Sequence, residues 1–169
     1  MIVVVMGVTG CGKSTVGAAL ARRLGCRFLD ADDFHPPANV EKMRAGVALD
    51  DADRWPWLDA LARELRAAAG RGESVVLACS ALKAVYRGRL AVAGPVRFVH
   101  LTGDEATIAA RLAGRAHRYM PASLLASQFA ALEPPNDALT VPVDLPLEAQ
   151  VDAILRGLGA SSAARIGAD

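Results

Sequence analysis

Residues 7–15 read GVTGCGKST, and within them Gly7, Gly12, Lys13 and Ser14 satisfy the pattern G-x-x-x-x-G-K-[ST]. Each type has a task in phosphate binding. Glycines let backbone N–H groups curl around phosphate oxygens, and the start of the following helix adds its positive end. A lysine reaches the β- and γ-phosphates, and the hydroxyl that follows ligates Mg²⁺. From ordinary glycine usage of roughly 7%, the pattern arises by chance in about one in a hundred chains of this length. The context it requires, an apolar strand before and a helix after, is also met. We therefore expect Gly7, Val8, Thr9, Gly10, Cys11, Gly12, Lys13, Ser14 and Thr15 to bind ATP, with Lys13 catalytic and Ser14 the metal ligand. Any small residue fits at Cys11, although the helix end and Lys13 lead us to expect some thiolate reactivity there.

The acceptor side begins with Asp30, Asp32 and Asp33, which follow the second predicted strand. In open α/β sheets, ligands gather beyond the carboxyl ends of the strands. One of Asp30 and Asp32 can support Mg²⁺ through water, and one can accept the proton of a substrate hydroxyl. The bland alternative is that they cap a turn or the next helix. The third strand ends in Cys79-Ser80, without the carboxylate of a Walker-B strand, so Asp30 is the best candidate for a second acid at the metal. No N-K-x-D base-reading motif occurs, which argues against a switch GTPase. Arg111, Arg115, His117 and Arg118 form a basic stretch. It reads either as a solvated helix end or as a lid over 113–121 that supplies arginine to the transferring phosphoryl group and stacks on adenine.

The elements that must position these groups alternate. Residues 2–6 are a buried strand, and Val16, Leu20 and Leu24 share a helical face that Gly25 stops. Further strands are expected at 26–30, 74–79, 96–101 and 140–143. Helices are expected at 39–44, from the acidic turn 50–53 to Gly70, at 83–90, at 104–112, at 121–132 and at 147–158. This alternation gives an α/β fold with a parallel sheet. Residues 1–158 read as one domain, with 159–169 a disordered tail.

Whole-chain properties remove other classes. The chain has 169 residues, with 53% hydrophobic and 22% charged, as expected for one globular domain. A net charge of +1 lacks the basic excess of a nucleic-acid binder. The apolar run at 2–6 is too short for a signal peptide or membrane span. The three cysteines are unclustered and read as reduced thiols of a cytoplasmic protein. Lysine supplies only three of the 19 basic residues, at 13, 42 and 83. A lysine kept in an arginine-rich composition suits a compact point charge in a tight loop.

Several segments together carry a family likeness: MGVTGCGKSTVG (6–17), FLDADDFHP (28–36), NVEKMRAGVALDDADRWPWL (39–58), ACSALK with YR (78–87) and MPASLLASQFAALEPP (120–135). In these the chain resembles the gluconate kinases of the thermoresistant type, over about residues 1–158. The resemblance implies a three-layer P-loop kinase fold with a five-stranded parallel sheet and a helical lid. It implies ATP-dependent phosphorylation of D-gluconate at C6, with Mg²⁺, commonly in a homodimer. It also implies that Asp32, His35, Arg54, Ser80 and Lys83 surround the sugar acid, and that Arg111 and Arg115 lie at the nucleotide and lid. For Arg54 the alternative is an ion pair with Asp50, Asp51 or Asp53. The family often reads Gly-His-aromatic before the lid's Met-Pro, where this chain reads His117-Arg118-Tyr119. A shikimate-type kinase shares the D-x-D but usually carries a glycine-rich segment where Ser80-Ala81-Leu82-Lys83 stands. A nucleotide-binding module without turnover is the alternative from another class.

Overall fold

Five short strands, β1 (Ile2–Met6), β2 (Arg27–Asp30), β3 (Val75–Ala78), β4 (Val96–Thr102) and β5 (Leu139–Pro142), form one parallel sheet in the order β2-β3-β1-β4-β5. The computed structural model describes residues 1–91, 93–113 and 124–166, with side chains described through residue 159. β1 and β3 are buried along their whole length, as the continuous apolar runs of a central parallel strand require. Their alternate residues feed two cores. Val3 and Val5 face α1 (Lys13–Leu24) and α7 (Leu147–Ile166), while Ile2, Val4 and Met6 face α3 (Asp51–Gly70) and α4 (Ala84–Ala91). Helices on both faces of the sheet make the three-layer sandwich. α2 (Pro37–Arg44), α5 (Glu105–Ala113) and α6 (Leu125–Ala131) complete the described elements, with a 3₁₀ turn at Ala31–Phe34.

The acidic turn opens α3 as expected, through a capping box. The Asp50 carboxylate accepts the Asp53 N–H at 2.8 Å, and the Asp53 carboxylate accepts the Asp50 N–H at 3.1 Å. Trp57, Leu58, Leu61 and Leu65 then face the core. Pro56 lies inside this helix, so the Ala52 carbonyl lacks the N–H that an ordinary residue would supply there.

Two expectations meet the limits of the described residues. The terminal helix α7 is described to Ile166, beyond the expected end at 158. The alanine-rich run that follows Gly159 favours helix more than its terminal position suggests. The proposed lid is the other case. Of 113–121 only residue 113 is described, as the end of α5. Arg115, His117 and Arg118 lie outside the described residues. Among the described residues, no helix is long and apolar enough to cross a membrane.

Candidate active site

The phosphate loop connects the end of the most central strand, β1, to the start of α1. Gly7 has φ 143°, and a Cβ there would meet Cys11 Sγ and the Leu101 carbonyl oxygen, each at 2.8 Å. Gly12 enters the helix at φ 97° and brings no capping side chain, so no side chain of the cap takes the first N–H groups of α1. Lys13 Nζ folds back across the loop to the Val8 carbonyl at 2.8 Å. On the far side, the Gly7 N–H reaches the Ser80 carbonyl at 3.3 Å and thereby joins the loop to the end of β3.

Asp30 makes two contacts. One carboxylate oxygen accepts the Asp32 N–H at 3.0 Å and so caps the 3₁₀ turn. The other accepts the Ser14 hydroxyl at 2.6 Å. A hydroxyl and a carboxylate side by side at a phosphate loop are hard oxygen donors, the set that suits Mg²⁺. Asp32 is exposed on the turn that Asp30 caps. Lys13, Asp32 and Asp30 all act electrostatically on Cys79, which follows β3.

Cys11 does not carry the reactive thiolate expected of it. Its side chain turns under Gly7 into the core beside Val8 and Leu112, and it is 1% exposed. Burial pushes its thiol pKa up and outweighs the attraction of Lys13. Cys79, equally buried, is pushed up to about 12. All three cysteines are free.

A cavity of about 570 Å³ is lined by Ala48–Ala52, Arg54, Leu82, Lys83 and the Ser127, Gln128 and Ala131 face of α6. The acids that might have neutralised Arg54 are bound elsewhere. Asp53 pairs with Lys42 at 2.8 Å, Asp51 pairs with Lys83 at 2.8 Å, and Asp50 is the helix cap. Arg54 instead donates to the Leu49 carbonyl at 2.5 Å and to the Tyr86 hydroxyl at 3.4 Å, and lies over the Tyr86 ring. The Tyr86 hydroxyl donates to Asp51, which therefore holds both Tyr86 and Lys83. Hydrogen bonds from Lys83 and then Tyr86 keep the Asp51 carboxyl below its usual range.

His35 stacks on Trp57, with ring centroids 4.2 Å apart. Trp57 is anchored by its indole N–H to the Ala31 carbonyl at 2.7 Å. Asn39 Nδ2 donates to the Asp53 carbonyl at 2.8 Å and lies 3.4 Å from His35 Nδ1. The carbonyl fixes which end of the Asn39 amide is nitrogen, so His35 Nδ1 is an acceptor and its proton sits on Nε2. Burial, then Arg54, lowers the His35 pKa to about 4. A histidine whose folded pKa is depressed contributes stability that is complete above the ordinary value of 6.5 and is lost as pH falls towards 4. Resistance to urea should therefore fall as pH drops between these limits. After discounting for partial exposure, His35 should account for on the order of 1–2 kcal/mol of that loss. The expected result for His35→Asn is a flatter slope over this window, and an unchanged slope would refute the assignment.

Ser80 follows β3, and the neighbouring Ala81 takes a left-handed backbone, φ 45°, while fully buried. Arg87 Nη1 supports this bend through the Ala81 and Leu82 carbonyls at 3.1 and 3.0 Å.

A second cavity, of about 480 Å³, lies on the other side of the loop. It is lined by Cys11, Gly12, Thr15, Val16, Arg111, Gln150 and residues 144–147. Arg111 and Gln150 both donate to the Val143 carbonyl, and Gln150 also to the Leu145 carbonyl at 2.7 Å. Among the described residues, Gln150 Oε1 is buried without a hydrogen-bond partner.

Sequence reasoning missed Asp51, Tyr86, Asn39, Gln150 and Gln128 as parts of the site. Gln128 did leave a signal. It lies three residues after Leu125 and four before Leu132, on the buried face of its helix, where an apolar residue is expected.

A phosphate loop at the carboxyl end of the central strand, between two cavities and beside a Ser14–Asp30 pair, defines a P-loop kinase. The family model described as AAA domain matches residues 2–135. The chain is 51% identical over 135 residues to the gluconokinase of Gluconobacter oxydans (strain 621H), covering 79% of this chain and 76% of that one. It is 47% identical over 146 residues to the gluconokinase of Arabidopsis thaliana, with 78% and 77% covered. The crystal structure of a gluconokinase from Sinorhizobium meliloti 1021 superposes with a TM-score of 0.89 at 40% identity, over 99% of this chain and 97% of that one. The chain belongs to the gluconokinase family.

Proposed function

We propose that this protein phosphorylates D-gluconate at its C6 hydroxyl with ATP, giving 6-phospho-D-gluconate and ADP. The observation that carries this reading is the 570 Å³ cavity, which presents Arg54 and Lys83 and is joined to the phosphate loop through Gln128. Gluconate is a hydroxylated chain with a carboxylate at one end and C6 at the other. Cations set apart from Lys13 can hold the carboxylate while C6 points to the loop. The neutral His35, with its proton on Nε2, suits a hydroxyl partner, as does Ser80. Asp32 takes the proton of the C6 hydroxyl as its oxygen attacks the γ-phosphorus and ADP leaves. Lys13 and the loop N–H groups of residues 7–15 hold the phosphates. Arg111 and Gln150 shape the cavity for the base, and Arg115 would serve the transferring group from a lid over 113–121. Ser14 would hold Mg²⁺ directly and Asp30 through water, and the ion would neutralise phosphate charge. A cytoplasmic homodimer completes the reading, and size-exclusion chromatography tests its oligomeric part.

The test is a coupled ADP-release assay across gluconate, shikimate, glycerate and AMP, with ³¹P spectroscopy of the product. ADP release should depend on gluconate and yield the 6-phosphate. Equal or faster turnover of another acceptor, or tight nucleotide retention without product, would overturn the proposal.

A further inference from the structure

Gln128 touches both halves of the site. It lies in the middle of α6, 6% exposed, and its Oε1 accepts the N–H of Thr9 at 2.6 Å across 119 residues of sequence. Thr9 is the third residue of the phosphate loop and is itself 6% exposed. The same Gln128, with Ser127 and Ala131, lines the cavity that holds Arg54 and Lys83. The segment that follows is fixed from the other direction. The Glu133 N–H donates to the Leu82 carbonyl at 2.9 Å, and its carboxylate accepts the Ala84 N–H at 2.6 Å at the start of α4. Residues 125–133 are thus tied to the phosphate loop at one point and to the Ser80–Lys83 bend at another.

We infer that Gln128 is a positioning and specificity residue that sets the acceptor against the phosphate loop. The inference rests on the acceptor reading above. A buried N–H that loses its acceptor cannot be rescued by water, so the Thr9 bond holds the loop in one place. Because the same side chain is part of the acceptor wall, the loop and the acceptor are referenced to one group. In-line transfer depends on that register, and a displacement of about 1 Å is enough to lower the rate about a hundredfold.

Two substitutions separate these roles. Gln128→Glu is nearly isosteric and its carboxylate can still accept the Thr9 N–H, but it puts negative charge into the wall that faces an anionic acceptor. Gln128→Leu removes the Thr9 acceptor altogether. The glutamate variant should raise the KM for gluconate about tenfold or more, and raise that for ATP much less. The leucine variant should lower kcat about tenfold or more and form less 6-phosphogluconate per ADP released, as water competes for a mispositioned phosphate. Wild-type kinetics in both variants would overturn the inference. So would parallel changes in Tm and in both KM values with product and ADP still formed one to one, since that is the pattern of a purely structural residue. A wild type that turns over ATP without gluconate dependence would defeat the acceptor reading itself, and this inference with it. An active wild type with indifferent variants defeats the inference alone.

Discussion

Lys13→Ala should abolish phosphoryl transfer and leave the fold intact, with kcat falling by roughly a thousandfold, about 4 kcal/mol. Charge develops on the transferring phosphoryl group and on the departing ADP, and a fixed cation there acts where water is excluded. Lys13 is the lysine that opens α1, and its ammonium now bonds the Val8 carbonyl across the loop. Removing it deletes one intraloop hydrogen bond, worth about 1 kcal/mol, so the sheet and both cores should survive. Lys13→Arg should recover little, because a planar fork does not replace a compact ammonium inside the loop. Steady-state rates alongside far-ultraviolet circular dichroism decide the matter. Near-wild-type turnover with an unchanged spectrum would remove Lys13 from the mechanism.

Arg54→Ala should lower kcat/KM for gluconate by roughly thirtyfold to several hundredfold, as expected when a charge-assisted pair of about 2–4 kcal/mol is lost. Arg54 is available for that pair. Asp53 and Asp51 are bonded to Lys42 and Lys83, and Asp50 closes the capping box. The Arg54 guanidinium is aimed by the Leu49 carbonyl and the Tyr86 hydroxyl at the wall of the acceptor cavity. Lys83 in the same wall should preserve part of the affinity, which places the expected loss towards the lower end of the range. Arg54→Lys should restore only part, since the bidentate geometry is lost. ATP affinity should change little, and the variant should discriminate less between gluconate and neutral glucose. If Arg54→Ala damages ATP binding and spares the gluconate KM, Arg54 belongs to the phosphate site and the acceptor pocket is misassigned.

The phosphate loop and the sheet were legible in the amino-acid sequence because both rest on local rules. An apolar β-branched run at 2–6, glycines where positive φ is required and a lysine–serine pair at a helix start describe one continuous segment. The acidic turn at 50–53 read as a helix start for the same reason: a capping box spans only four residues. Interactions between distant segments were not legible. That Asp30 also holds Ser14 depends on β2 and β1 lying in one sheet with β3 between them. That Asp51 takes hydrogen bonds from Lys83 and Tyr86 rather than from Arg54 depends on α3 packing against α4. Cys11 shows the limit most clearly. Its neighbours in sequence, a lysine and a helix end, favour thiolate, but the side chain points into the core, and desolvation outweighs both. Local spacing dictates which backbone groups a segment can offer; which side chains meet, and how dry that meeting is, is decided only when the layers close on one another.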